Sequence, residues 1–403
     1  MTLSSLSSPV PHRSSGSVVP SPSTPNSRGP VSLPTFPPQR QRPGFTLVEL
    51  MVVIAIIGVL AAALVPAING AITRAKVASI KLETGSIASA IDQYNLKYGD
   101  FPPDFSDKSV IDRHYRKLFS RMTTDESGLL DAIVGTGASF NPTIIDRAES
   151  LVWCLGGYSE DIQRPFTGPG GPLQWVGSGT YAAATSAERQ TPANYQINTD
   201  RINKLFDFDA GRLTIDTDSV NAGAALSPTN RYLSTDDGDL FPTYRSREDG
   251  APFVYFDSRT YAKEDATLGM NGYGGAGFGA IRPYISGSVE NITTTGNFTS
   301  LPQAITSWQF MNPDTFQVIS AGLDDNFGAA NMFDPGEGTN RPAYYQYPSG
   351  SLIAPRLDVA TPGDLIFTGV SKYQEGNLTS SANHFAPDNI ANFSGGAMVD
   401  DIP

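Results

Sequence analysis

Cysteine occurs once, at Cys154, and histidine three times, at His12, His114 and His384. A single thiol excludes an internal disulfide and any cysteine-cluster metal site. Histidines so far apart in the chain argue against a zinc centre built from them. Charge is also scarce: 17% of the 403 residues are charged, against about 25% in ordinary domains. The balance is acidic, net −12, which argues against a nucleic-acid partner drawn by general basicity. Glycine (39) and proline (31) are plentiful by contrast, and they favour a loop-rich, strand-rich body over a helical bundle.

The absences concentrate at the N-terminus. Residues 1–44 contain no Asp, Glu or Lys, but hold eleven Ser, ten Pro and four Arg. So little apolar surface cannot offset chain entropy, and the spacing predicts a disordered basic leader of charge about +4. The composition then changes within one residue. From Phe45 to Ile72 the only charge is Glu49, and Leu50 to Ile68 is a run of nineteen residues with none. At 1.5 Å per residue such a run nearly spans a hydrocarbon core of about 30 Å. Arg40 and Arg42 precede it, and Arg74 and Lys76 follow it. With the basic leader on the cytoplasmic side, the bulk of the chain lies outside. Two plainer readings compete: a secretory signal peptide cut near Ala61-Ala62-Ala63, and a simple single-pass anchor. Neither accounts for Glu49, because an ionisable group in a span is costly and points to a function.

The segment Arg42-Pro43-Gly44-Phe45-Thr46-Leu47-Val48-Glu49-Leu50 resembles the class III signal of type IV pilins and type II secretion pseudopilins. The resemblance implies cleavage by a prepilin peptidase between Gly44 and Phe45, and N-methylation of the new first residue, Phe45. It also implies that Glu49 sets subunit registry and that Pro66 kinks the helix. The leader here is longer than the short basic leaders common in the family. The chemistry is coherent: cleavage creates an amine at Phe45, and a carboxylate one helical turn on meets that amine on a neighbouring subunit. Each charge neutralises the other where an unpaired one is strongly penalised. Gly58 and Ala61 to Ala63 permit close helix packing, or serve simply as helix filler.

Beyond Arg74 the pattern turns amphipathic. Val77, Ile80, Thr84, Ile87, Ile91, Tyr94 and Tyr98 form one helical stripe, and Lys76, Lys81, Glu83, Ser86, Asp92 and Asn95 occupy the remaining surface. The expected helix spans residues 45–98, with its transmembrane part at about 47–72. Gly99-Asp100-Phe101-Pro102-Pro103 ends it, and the same segment resembles the pseudopilin junction. Residues 99–403 then form a globular head outside the cytoplasm with insertions. The expected fold class is α+β: a long N-terminal helix packed on an enlarged, loop-rich, antiparallel-sheet head.

Strand candidates are 253–256, 315–321 and 364–368; residues 105–250 show mixed patterns that match no single period. The segments 248–255, 316–328 and 388–393 resemble three pseudopilin segments, the last two being loops that hold calcium in the secretion-type major subunit. That resemblance implies calcium donors at Asp324, Asp325 and Asp388, with Asn326 and Asn389 as further oxygens; solvated Asx turns read equally from the residues. The glycine string at 272–277 reads as a loop, since no strand clearly precedes it and Pro283 breaks a following helix. His384 near Asp388 has no activated serine motif beside it, and no enzyme is expected. Asn291, Asn297 and Asn377 head glycan-acceptor patterns, which indicate surface loops. Trp153, Trp175, Trp308 and Cys154 read as packing residues.

The expected function is a structural subunit of a type II secretion pseudopilus in the bacterial inner membrane, single-pass with its N-terminus cytoplasmic. The implied partners are the prepilin peptidase, other pseudopilin subunits, the inner-membrane secretion platform and membrane lipid; no nucleic acid is expected. A type IV pilin, or a single-pass surface protein that binds an envelope ligand and uses the signal for sorting, is the alternative. Mass spectrometry of the mature chain is expected to find an N-terminal, methylated Phe45. An intact leader in a host possessing the peptidase would contradict the cleavage reading.

Overall fold

The computed structural model describes residues 44–216, 226–263, 271–286 apart from 276, 305, 308–328, 331–334, 339–353, 356–357, 365–366 and 388–402. Most of the leader (1–43), His384 and the glycan-pattern sites lie outside the described residues. The chain divides into two compact units, Met1–Leu64 and Val65–Pro403. Helix α1 (Leu47–Tyr98) contributes to both.

In the first unit, every residue from Gly44 to Leu64 is exposed. Leu47 is 70% and Val59 73% accessible. The helix is long and apolar enough to cross a membrane, and none of its most apolar window is buried against the chain itself. Alkyl surface of this extent is stable only in lipid or against other helices. Pro66 lies inside α1 with helical residues on either side. Its ring nitrogen has no hydrogen for the carbonyl of Ala62.

In the second unit, α1 buries one face. Ile80, Thr84, Ile87, Ala90, Ile91 and Tyr94 are buried, and Val77 and Tyr98 pack at the margins of the same core. This is the stripe read from the 3–4 spacing, with Ala90 added. Lys81 and Glu83, placed by the sequence pattern on the solvent side, flank the stripe and tie it down. Lys81 Nζ donates to the Ala391 carbonyl at 2.8 Å. Arg212 donates through both terminal nitrogens to Glu83, at 2.8 and 2.6 Å, and the Tyr244 hydroxyl donates to the same carboxylate at 2.7 Å.

The helix ends at Tyr98, where Gly99 adopts φ 74°, a backbone state other residues rarely enter. Asp100 then accepts both contacts of Arg259 Nη1, at 3.1 and 3.0 Å, and pairs with His114 Nδ1 at 3.0 Å. Burial opposes ionisation of Asp100, yet these partners hold its carboxyl down to about 2.

Residues 105–250, unassigned from the pattern, contain helices α2 (Lys108–Leu118), α3 (Thr124–Val134) and α4 (Glu149–Leu155), and the single turn Ser186–Arg189. Asp107 caps α2 through the Ser109 and Val110 amides, and Thr123 caps α3 through the Glu126 amide. Arg201 closes the C-terminal end of α4 by donating to the Val152 and Trp153 carbonyls at 2.7 and 2.6 Å. These helices pack with α1 around a buried polar chain. Tyr94 Oη meets His114 Nε2 at 2.7 Å, Tyr115 and Tyr158 hydroxyls meet at 3.0 Å, and Trp153 Nε1 donates to Tyr115 at 2.8 Å. Tyr94, His114, Tyr115, Tyr158 and Trp153 each keep a polar atom satisfied in this way, as burial requires. Burial pushes the neighbouring Cys154 thiol up to about 12, so it is an inert packing group.

The central sheet is antiparallel, in the order Ile390–Ala391, Phe316–Ser320, Val254–Asp257. Its register sets Val254, Ile319 and Ala391 on one face and Tyr255 and Val318 on the other. Each face belongs to a different buried cluster, one shared with α1. Two of the three expected strands are therefore the centre of the head. In the third expected segment, Leu365–Ile366 pairs with Arg356–Leu357. The remaining described strands form short two-stranded pairs and one three-stranded sheet, in which Ile285–Ser286 runs parallel to Tyr344–Tyr347, so the head is α+β.

Because Ile87 is fully buried and Leu96 is 84% exposed on the same helix, their truncations are expected to differ. In thermal melts of the detergent-solubilised monomer, Ile87→Ala should cost about 2–5 kcal/mol and Leu96→Ala within about 0.5 kcal/mol. Equal losses would contradict the assignment of the buried face.

Candidate functional site

The first candidate site is the start of α1. Thr46 precedes the helix and Glu49 is its third residue, the spacing of a capping box. The Thr46 amide and hydroxyl donate to Glu49 Oε2 at 2.8 and 2.9 Å, and the Glu49 amide donates to Thr46 Oγ1 at 3.2 Å. The Leu50 amide donates to the Thr46 carbonyl at 3.2 Å. Glu49 is thus held by its own chain at the helix N-terminus, where the dipole favours an anion. The sequence reading assigned Glu49 to registry and missed this capping role, although Thr-x-x-Glu was legible at 46–49.

Gly44 and Phe45 lie outside the helix, and Phe45 is 84% exposed. A Cβ added at Gly44 would meet nothing within 4 Å, so nothing in the packing of the described residues demands glycine there. The Gly44–Phe45 peptide bond therefore sits outside the helix, just before the cap residue Thr46. Gly58 is equally open, leaving a shallow notch on the apolar helix. Pro66 stands seventeen residues beyond Glu49, outside this group.

The second candidate site is in the head. Of the three aspartates expected to bind calcium, two come together. Asp388 Oδ2 accepts from the Leu323 and Asp324 amides at 2.8 and 3.1 Å. Burial, and then the Asp388 carboxylate, push Asp324 up to about 6. Asp388 Oδ1 and Asn389 Oδ1 are buried and accept no hydrogen bond among the described residues. These oxygens fit a hard cation. Asp325 is turned elsewhere: it pairs with Arg247 and accepts from the Ala251 amide at 2.9 Å. Asn326 Oδ1 is taken by the Gly328 amide at 2.9 Å.

Residues 39–65 match the family described as the prokaryotic N-terminal methylation motif. The chain is 44% identical over 64 residues to the type II secretion system core protein G of Pseudomonas aeruginosa, 16% of this chain and 45% of that protein. It is 43% identical over 67 residues to the type IV major pilin protein PilE of Neisseria gonorrhoeae, 17% of this chain and 40% of that protein. These two relatives are thus spanned over less than half their length. With the type IV major fimbrial protein FimA of Dichelobacter nodosus it shares 49% identity over 150 residues, 36% of this chain and 89% of that protein. No solved structure matches the chain.

Proposed function

The chain belongs to the type IV pilin and pseudopilin family, and on that footing we propose that it is a structural subunit of a type II secretion pseudopilus. In this reading the leader is removed between Gly44 and Phe45 by a prepilin peptidase, Phe45 is methylated, and the apolar part of α1 holds the subunit in the inner membrane until it polymerises. The head lies on the far side from the cytoplasm. Other pseudopilin subunits and the inner-membrane platform are its partners, and the protein works by assembly, not catalysis.

One observation carries the reading: a lone carboxylate, four residues past Phe45, in a stretch of α1 from Leu47 to Leu64 that is otherwise exposed and uncharged. Processing creates a positive terminus at Phe45. A filament packs these helices together and removes water from both charges, and pairing the amine of one subunit with Glu49 of the next satisfies both at one axial stagger. The capping box keeps Glu49 partnered while the subunit is alone in lipid. Open space around Gly44 supports a glycine demanded by the peptidase and not by the fold. A bend at Pro66 would let the two parts of the helix take different directions.

For a pseudopilus, the support is that the three head segments resembling that class supply the central sheet and the Asp324–Asp388 pair. Asp324, Asp388 and Asn389 are the donors that would hold calcium; Asp325 would instead keep its Arg247 partner. The extent of the likeness to FimA favours a second reading, a surface-displayed type IV pilin. Deleting the gene distinguishes them: a pseudopilin loss abolishes export of secreted proteins, whereas a pilin loss abolishes surface fibres and leaves export intact.

Glu49→Ala is expected to leave insertion and cleavage in place while blocking assembly. Breaking a buried pair costs about 3–5 kcal/mol, more than a hundredfold in association, so fibres in the sheared fraction should be lost. Normal fibre yield from this variant would overturn the pairing.

A further inference from the structure

The polar chain under the end of α1 is more than packing. Its middle member, His114 of α2, is 0% exposed. Both ring nitrogens are engaged: Nε2 with Tyr94 Oη of α1 at 2.7 Å, and Nδ1 with Asp100 Oδ2, just past the end of α1, at 3.0 Å. From Tyr94 the chain runs to the Tyr158 hydroxyl at 3.4 Å and from there to Tyr115 at 3.0 Å, where Trp153 Nε1 donates at 2.8 Å. Burial pushes the Tyr94, Tyr115 and Tyr158 hydroxyls well above their usual range, so each keeps its hydrogen. Asp100 is the member that reaches water, its side chain 21% accessible.

The two ends give the chain a direction. An indole N–H can only donate and a carboxylate can only accept. One arrangement gives every member between them both a donor and an acceptor: Trp153 to Tyr115, Tyr115 to Tyr158, Tyr158 to Tyr94, Tyr94 to Nε2, and the Nδ1 hydrogen to Asp100. The ring is then neutral, with its hydrogen on Nδ1. A second hydrogen, on Nε2, would meet the Tyr94 hydrogen head on. Every hydroxyl back to Tyr115 would have to turn, leaving Tyr115 to donate to Cys154 Sγ at 3.9 Å, a weak acceptor. The titratable groups facing the ring are Tyr94 from α1, Asp100, Tyr115 and Lys117 from α2, and Arg259 from the turn Ser258–Thr260. Arg259 Nη1 already takes both Asp100 oxygens, and its Nη2 pairs with Asp257. Burial, opposed by Asp100 and seconded by Arg259 and Lys117, holds His114 below the ordinary histidine range.

We propose that His114 is an acid-sensitive lock between α1 and the head. Neutral, it completes a chain that joins Tyr94 of α1 to α2 and α4; protonated, it breaks that chain where the head meets the helix. The sign follows from linkage. The folded state disfavours the imidazolium and the unfolded chain does not. Below about pH 6.5 the unfolded state therefore binds more protons, and stability falls with pH until the folded ring is itself protonated. Although burial opposes ionisation of Asp100, His114 and Arg259 hold it down to about 2, so it stays charged through this window. The lock lies within the head unit of a single chain and does not depend on which filament that chain builds.

The test is histidine NMR of the full chain in detergent, with His12→Gln and His384→Gln identifying the other two signals. Near neutral pH the His114 ring is expected to be uncharged with its hydrogen on Nδ1, and to titrate with a midpoint below the ~6.5 of an ordinary histidine. A hydrogen on Nε2, a ring already charged at neutral pH, or a midpoint no lower than that of an ordinary histidine would overturn the proposal. Urea unfolding of the same chain measures the consequence. Over the pH unit below about 6.5, the folding constant of the parent is expected to fall by up to about tenfold relative to that of His114→Gln. Amide protection over residues 108–118 should weaken with it. The same pH dependence in both chains would contradict the lock. Should His114→Gln fail to fold, the imidazole signals of the parent still decide the matter.

Discussion

A carboxylate on a helix made of alkyl groups must have a partner, and the organisation of this chain follows from where Glu49 finds one. In the isolated subunit the partner is Thr46, whose amide and hydroxyl both donate to Glu49 Oε2. Two neutral hydrogen bonds at a helix N-terminus make the charge tolerable near a membrane boundary, where insertion is less costly than at the centre. They do not cancel it. In the proposed filament a processed amine at Phe45 on an adjoining subunit would, and that difference would favour assembly. Among the described residues of the first unit, every other side chain from Leu47 to Leu64 is uncharged and exposed.

The second unit gives the same helix a different task. From Val77 onward α1 has one buried face, with Ile87, Ile91 and Tyr94 at no measurable exposure. Its polar flanks are anchored by Lys81 and by the Glu83–Arg212 pair. The anchors come from distant parts of the head, the 205–245 segment and the final strand. The head is therefore tied to the helix from two well-separated parts of its sequence. An enlarged head hung on a filament helix needs such cross-links, because the loops between them have little regular structure of their own.

Much of this was legible in the residues. The apolar run, the single acid inside it and the 3–4 stripe have periods and lengths that only a helix satisfies, and the helix ends at Tyr98 where glycine and two prolines follow. Val254–Asp257 and Phe316–Ser320 stood out because β-branched and aromatic residues there are bounded by turn residues. What escaped was local chemistry overwritten by tertiary packing. Helices α2 and α3 carry capping signals at Asp107 and Thr123, yet their apolar positions are interleaved with His114, Tyr115 and Glu126, polar residues that are buried. Glu126 illustrates the reason: its carboxylate turns to the Phe166 amide at 2.8 Å, forty residues away. Partnerships over such separations leave no periodic trace. The diversion of Asp325 to Arg247 is of the same kind.

The central claim concerns one distance between two copies of the chain, and cryo-electron microscopy of the assembled filament at side-chain resolution measures it. The predicted result is the methylated amine of Phe45 in one subunit within ion-pair reach, about 4 Å, of the Glu49 carboxylate in the next. A filament in which Glu49 keeps only its Thr46 contacts, with the amine of every neighbour out of reach, would contradict it.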